Sequence, residues 1–149
     1  MGIRFLCTTI DSNSIITLRL FGAYYFYRIT KKMKKIYHLS TCSTCQRIIK
    51  ELQLPNDFVF QDIKTEIITT AQIEEMRELS QNYEALFSKR AVLYRERNLK
   101  EQNLTENDFK ALILEHYTFL KRPVILVDNL IFIGNSKKVV EAAKKAIHP

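Results

Sequence analysis

The sequence predicts an α/β domain: a four-stranded mixed sheet flanked by helices, with a helical insert before the third strand. Three observations carry this expectation. Lys34 to Lys50 reads as strand, C-x-x-C loop and helix in succession. Phe58 to Ile63 follows as a second strand-like run, after the turn residues Pro55-Asn56-Asp57. Near the end, Val124–Val127 and Leu130–Ile133 flank the turn pair Asp128-Asn129 and lead into a last amphipathic stretch. A crossover that contains a helix makes the first two strands parallel and right-handed, whereas a two-residue turn makes the last two an antiparallel hairpin.

Residues 1–32 differ in character from the rest. Their basic residues are Arg4, Arg19, Arg28, Lys31 and Lys32, against Asp11 alone. An apolar, aromatic run from Ile15 to Tyr27 is interrupted by Arg19 and is too short to span a bilayer. No small-residue cleavage site follows it, which argues against a signal peptide. Met33-Lys34-Lys35 then stands directly before the first convincing strand. The expectation is therefore an N-terminal extension over 1–32, outside the natural protein, with Met33 as the natural start and a single domain over 33–149. A membrane-touching or targeting extension, or an extra strand or helix, are the alternatives. Cys7 receives no role in any of them.

From Lys35 to Leu39 the residues alternate and favour a strand. Ser40-Thr41-Cys42-Ser43-Thr44-Cys45 is a polar loop, with Ser43 and Thr44 as expected helix caps. Gln46 to Leu52 sets Ile48, Ile49 and Leu52 on one helical face, and Leu54-Pro55 stops it. Thr69 and Gln72 read as a capping box for a helix through Ser80, with Ile73, Met76 and Leu79 on its buried side. Tyr83 to Arg97 is helix-prone and basic, with Leu86, Phe87, Val92, Leu93 and Tyr94 apolar. Thr105, with Asp108 three residues on, caps a further helix whose Phe109, Leu112, Ile113 and Tyr117 face inward. Arg122-Pro123 then opens the third strand, a buried β-branched run. Gly134-Asn135-Ser136 leads into the last helix, Lys137 to Ile147, with Val139, Val140, Ala143 and Ile147 along one side.

Charge and cysteine usage narrow the classes. The chain of 149 residues holds 23 basic and 16 acidic residues, and a formal charge of +7. Five of the basic residues and one acid lie in 1–32, which leaves 18 and 15 over the other 117, a net of only +3. No dense basic stretch remains, so direct nucleic-acid binding is not implied. Three cysteines, two of them in one C-x-x-C, make no disulfide framework and fit a reducing, cytoplasmic setting. A zinc site lacks its ligands: beyond Cys7 there are only His38, His116 and His148, scattered without ligand spacing.

The C-x-x-C therefore reads as redox chemistry. Cys42 falls at a helix N-terminus, where unpaired backbone N–H groups and the helix dipole favour a thiolate. Such placement lowers a cysteine pKa from about 8.5 to roughly 3.5–7.5. Cys45, one turn on, is placed to attack a mixed disulfide formed at Cys42.

With these residues in place, a β-α-β unit with C-x-x-C after its first strand and a proline opening the third strand resembles the thioredoxin fold. That resemblance implies a cis bond at Arg122-Pro123, packed beside the cysteine loop. The segments Tyr37–Leu52, Ala85–Glu96 and Leu104–Ser136 together look like the glutaredoxin-coupled arsenate reductases and the related Spx regulators, over essentially all of Lys34 to Ile147. The resemblance implies that Cys42 is the nucleophile and that Arg122, beside Pro123, holds an oxyanion, a task suited to a permanently charged bidentate donor. The family's second arginine falls near Ser88, with Lys89 and Arg90 just beyond it. Its third falls near Gly134, and no basic residue stands there until Lys137. Cys45 departs from the arsenate reductases and matches the Spx type, in which the C-x-x-C is a redox switch. Lys121, Arg95 and Arg97 read as surface charge.

Two functions follow as expectations. In the first, the chain is a thiol oxidoreductase of the arsenate-reductase type. Cys42 attacks an oxyanion or a disulfide, Arg122 and Arg90 hold its charge, and Cys45 or an external thiol resolves the adduct. Glutathione, glutaredoxin or thioredoxin would supply the electrons, with no bound metal or organic cofactor. In the second, the chain is a regulator whose Cys42–Cys45 redox state controls association with RNA polymerase. A family member that keeps the fold without a defined substrate is a third possibility.

Overall fold

The computed structural model describes residues 33–149 and, before them, only the backbone of two strands, β1 (Ile15–Leu20) and β2 (Ala23–Arg28). β1 and β2 pair antiparallel, from Ile15 opposite Arg28 to Leu20 opposite Ala23. The chain divides into two compact units, Met1–Lys31 and Lys32–Pro149. The expectations placed on the remainder of residues 1–32, Cys7 among them, lie outside the described residues.

The larger unit begins with β3 (Lys34–His38), α1 (Ser43–Leu52) and β4 (Val59–Asp62). The insert follows as α2 (Thr70–Ser80), the short α3 (Val92–Glu96) and α4 (Glu106–Glu115). It closes with β5 (Val124–Val127), β6 (Leu130–Ile133) and α5 (Lys137–Ile147). The sheet order is β4-β3-β5-β6, with β3 and β4 parallel and the other neighbours antiparallel. This is the four-stranded mixed sheet of the thioredoxin-like fold, and the Arg122-Pro123 bond is cis.

Side-chain alternation along the strands builds a core on each face. Tyr37, Val124 and Leu126 point to one side, where they meet Ile73, Met76, Phe87, Phe109, Ile113 and Phe119 of the insert. Ile36, Ile125 and Val127 point to the other, against Ile48 and Leu52 of α1 and Val140, Ala143 and Ile147 of α5. β5 is buried at all four positions because helices cover both faces of it. β4, at the sheet edge, leaves Val59 and Phe60 exposed while burying Gln61. The buried Gln61 amide is satisfied by reciprocal bonds with Gln72 and by donating to the Glu66 carbonyl at 3.1 Å.

Both expected capping boxes form. Thr69 caps α2 with Gln72 reaching back, and Thr105 caps α4 with Asp108 doing the same. Two expectations are corrected. Ser43 and Thr44 are not caps: Cys42 is the N-cap of α1, and they are its first two helical residues. Residues 83–97 are not a continuous helix either, because tertiary partners take the backbone groups a helix would pair internally. At the segment's start, where a helix would leave its N–H groups unpaired, the Tyr83 N–H donates to Glu106 at 2.5 Å and the Ala85 N–H to the neighbouring Asn82 Oδ1 at 2.7 Å. Further on, the Ser88 N–H donates to the Phe119 carbonyl at 2.7 Å and the Lys121 N–H to that of Leu86 at 2.8 Å, a bridge that pairs Phe87 with Leu120. Only Val92–Glu96 remains helical.

Candidate active site

Two helix starts and the strand entry at Arg122-Pro123 meet around one cleft of about 730 Å³. Cys42 and Thr44 bring the N-terminus of α1 to it, and Asn135 and Ser136 that of α5. The cysteine loop is fixed at both ends. The Ser40 N–H reaches Asp62 Oδ2 at 3.4 Å, and the Gln46 amide donates to the Ser40 carbonyl at 2.5 Å. The Ser40 hydroxyl, with further donors, holds the Asp62 carboxyl below its ordinary range. Between these ties the Cys42 N–H donates to the Leu39 carbonyl at 3.0 Å, which turns the chain into the helix.

The two thiols have opposite environments. Cys42 is half-buried, and burial alone would raise its pKa. The nearby Cys45 N–H and thiol and the Thr44 N–H, together with the Arg122 charge, outweigh it and hold the thiol below its ordinary value, although no side-chain cap hydrogen bond forms at Cys42. These N–H groups belong to the first helical turn and lie near the sulfur because Cys42 occupies the cap position. Cys45 is fully buried, and burial pushes its thiol up to about 11, with the neighbouring Cys42 adding to the rise. The Cys42 thiol is thus shifted toward the thiolate, while Cys45 beside it is held protonated. Both are free thiols.

Of the residues singled out in the sequence, Cys42, Arg122 and Arg90 line the cleft together. Cys45 lies behind Cys42 and does not line it, while the Arg122 charge acts on both sulfurs. Pro123 is buried at the start of β5, and its carbonyl accepts from the Gly134 N–H at 2.9 Å, which ties the end of β6 to the site. Arg90 is exposed at the rim. Lys89 lines the cleft too, paired with Glu84 at 2.6 Å. Among the described residues, no cluster of His, Cys, Asp or Glu suits a metal ion. No helix among them is long and apolar enough to cross a membrane.

The sequence model of the ArsC family matches residues 37–143. The chain belongs to the ArsC family. Among similar proteins, the global transcriptional regulator Spx 2 of Bacillus cereus is 23% identical over 109 residues, which cover 70% of this chain and 82% of the regulator. An ArsC-family-related protein of Bacteroides fragilis superposes with a TM-score of 0.64 at 22% identity, over 76% of this chain and 98% of that one. The arsenate reductase of Vibrio cholerae superposes with a TM-score of 0.59 at 18% identity, over 77% and 98%. At these identities the structural likeness establishes the fold.

One residue of this ArsC-family cleft escaped the sequence reading. Lys121 is half-buried rather than plain surface charge, and its ammonium donates to the Ala85 carbonyl at 2.8 Å. Burial pulls its pKa below the ordinary lysine value, partly offset by Glu84 and reinforced by Lys89. The available signal was its place directly before Arg122 in the segment that enters the buried strand. Arg97, by contrast, is engaged in a bidentate pair with Glu115 at 2.7 and 2.9 Å and does not line the cleft.

Proposed function

We propose that this ArsC-family chain is a thiol-dependent oxidoreductase in which the Cys42 thiolate attacks an oxyanion or a disulfide. One observation carries the reading: a cap-position cysteine faces an anion-favouring cleft, its thiol lowered by helix N–H groups and by Arg122. On a disulfide, the Cys42 sulfur pair forms a new S–S bond while the old one breaks and leaves with a thiolate. Cys45 then gives up its proton and attacks the Cys42 sulfur, expelling the second thiolate and leaving a Cys42–Cys45 disulfide. Forming the mixed disulfide removes the Cys42 contribution to the raised Cys45 pKa, while burial, the larger cause, remains. Two electrons from glutathione, glutaredoxin or thioredoxin restore both thiols. On an arsenate-like oxyanion, the Cys42 sulfur displaces one oxygen, which leaves as water. Cys45 or glutathione then attacks the Cys42 sulfur to form one disulfide, and the electron pair of the broken bond leaves on the oxyanion's central atom, reducing it by two electrons. Arg122, with Arg90 at the rim, would hold the anionic charge.

The test is oxidation of NADPH on addition of arsenate, or of a small disulfide, with glutathione, glutaredoxin and glutathione reductase present. Turnover should vanish in Cys42→Ser; survival of activity in that variant would sink the assignment. Cys45→Ser should accumulate a mixed disulfide at Cys42, visible by mass spectrometry.

A second reading has its own support. The contact between the two thiols and the similarity to the Bacillus cereus Spx 2 both suit a redox switch that controls binding to RNA polymerase. Capture of the polymerase by one redox state and not the other would favour it. Equal or absent capture would count against it.

A further inference from the structure

We propose that Lys121 anchors an anionic group that the substrate carries away from its reacting sulfur, so that the cleft selects small carboxylate-bearing disulfides over a bare oxyanion. This rests on the thiol-exchange reading of Cys42 and names its substrate class.

Three features point there. At about 730 Å³ the cleft, though open to solvent, is of the size of sites that bind organic ligands. A four-oxygen anion held at Cys42 would leave most of that space empty. Next, the two consecutive cations act on different charged neighbours. The Arg122 charge acts on Cys42 and Cys45, whereas the charged neighbours of Lys121 are Glu84 and Lys89. Finally, Lys121 is held in place as a receptor group. Its backbone N–H is bonded to the Leu86 carbonyl and its ammonium to that of Ala85, each at 2.8 Å. Among the described residues that is one of three ammonium donors, which leaves two for a ligand. Glu84 is engaged by Lys89 at 2.6 Å. A half-buried cation in that position gains from an incoming carboxylate more than an exposed one does, because solvent screens it less.

The step itself is ordinary exchange. With the carboxylate of one half seated on Lys121, the Cys42 thiolate attacks the nearer sulfur. The S–S bond breaks, and its electron pair leaves with the other half as a thiolate.

The experiment uses the full chain with Cys7→Ser and Cys45→Ser, so that Cys42 is its single thiol. Stopped-flow rates are measured with 5,5′-dithiobis(2-nitrobenzoate), which has a carboxylate on each half, and with uncharged 4,4′-dithiodipyridine. Lys121→Met should slow the anionic reagent about tenfold and leave the uncharged one within about twofold, the effect of losing one charged hydrogen bond. Lys121→Arg should restore most of the difference. An unchanged ratio of the two rates overturns the proposal. So does a ratio that falls as far in Arg90→Met, which removes another cleft-lining cation without freeing a carboxylate and would mean a diffuse positive field rather than an anchor. If Cys42 is no more reactive than a free cysteine toward either reagent, the oxidoreductase reading falls and this inference falls with it.

Discussion

The chemistry of this site lies in how two thiols three residues apart are made unequal. Cys42 sits where N–H groups converge, and Cys45 sits in the core behind it. The sign of the pH dependence follows. The folded Cys42 pKa is depressed, so its thiolate persists below the ordinary thiol range, near 8.5, and is lost only as pH falls through the lowered value. The associated stability is present above the unfolded pKa and lost over the same descent. Alkylation of Cys42 by iodoacetamide, followed residue by residue with mass spectrometry, should therefore have its midpoint below about 8.5. Arg122→Met and Cys45→Ala should each move that midpoint upward, since each removes a partner of the thiolate. A wild-type midpoint at the ordinary thiol value would refute the poised thiolate. Cys45, pushed up to about 11, should stay unmodified until far more alkaline pH. At this scale the sequence was informative about Cys42, because a cap position and a C-x-x-C are local features. Lys121 was opaque, because what gives it a role is the Ala85 carbonyl, 36 residues away.

At the scale of elements, the stretches that describe themselves locally were the legible ones. Thr69 with Gln72 and Thr105 with Asp108 satisfy each other's backbone donors within one turn, and both helices begin where those boxes stand. Ser136 caps α5 in one direction only, accepting from the Val139 N–H at 3.4 Å. Thr69→Ala should accordingly lower unfolding stability by about 1 kcal/mol in urea titration, with the dependence on urea unchanged. Thr69→Ser should keep the cap and most of that stability. A loss as large in the serine variant would show that the methyl group, not the hydroxyl, is what matters. Residues 83–97 were illegible for the converse reason. Their helix-forming composition is overridden by bonds to residues 106 and 119–121, contacts that no local window contains.

For the whole molecule, the central fact is that one sheet separates two cores, and the cleft depends on both. The face toward α1 and α5 orients the two helix N-termini, because Ile48 and Leu52 pack with Val140, Ala143 and Ile147. The opposite face carries the insert, where Phe87 stacks on Phe119 with ring centres 5.3 Å apart and meets Phe109 at 4.9 Å. Phe87 is fully buried and also lines the cleft, between the Leu86 carbonyl that receives Lys121 and the Ser88 N–H that binds Phe119. It joins the core to the cation wall of the site. Phe87→Ala should therefore cost about 3–5 kcal/mol in equilibrium unfolding, the range for removing a buried ring. Val92→Ala, at a position that is apolar but 55% exposed, should change stability by no more than about 0.5 kcal/mol. The two variants separate a packed insert from a merely helix-prone one. If 83–97 were an amphipathic helix lying on the sheet, both substitutions would weaken it by similar amounts. Phe87→Ala should also lower the reactivity of Cys42 toward the carboxylate-bearing disulfide more than toward the uncharged one, because the bridge of Phe87 with Leu120 and the Leu86–Lys121 bond beside it hold Lys121 in place. Loss of stability without that selective loss would leave Phe87 as core alone and uncouple the cleft from the packing beneath it.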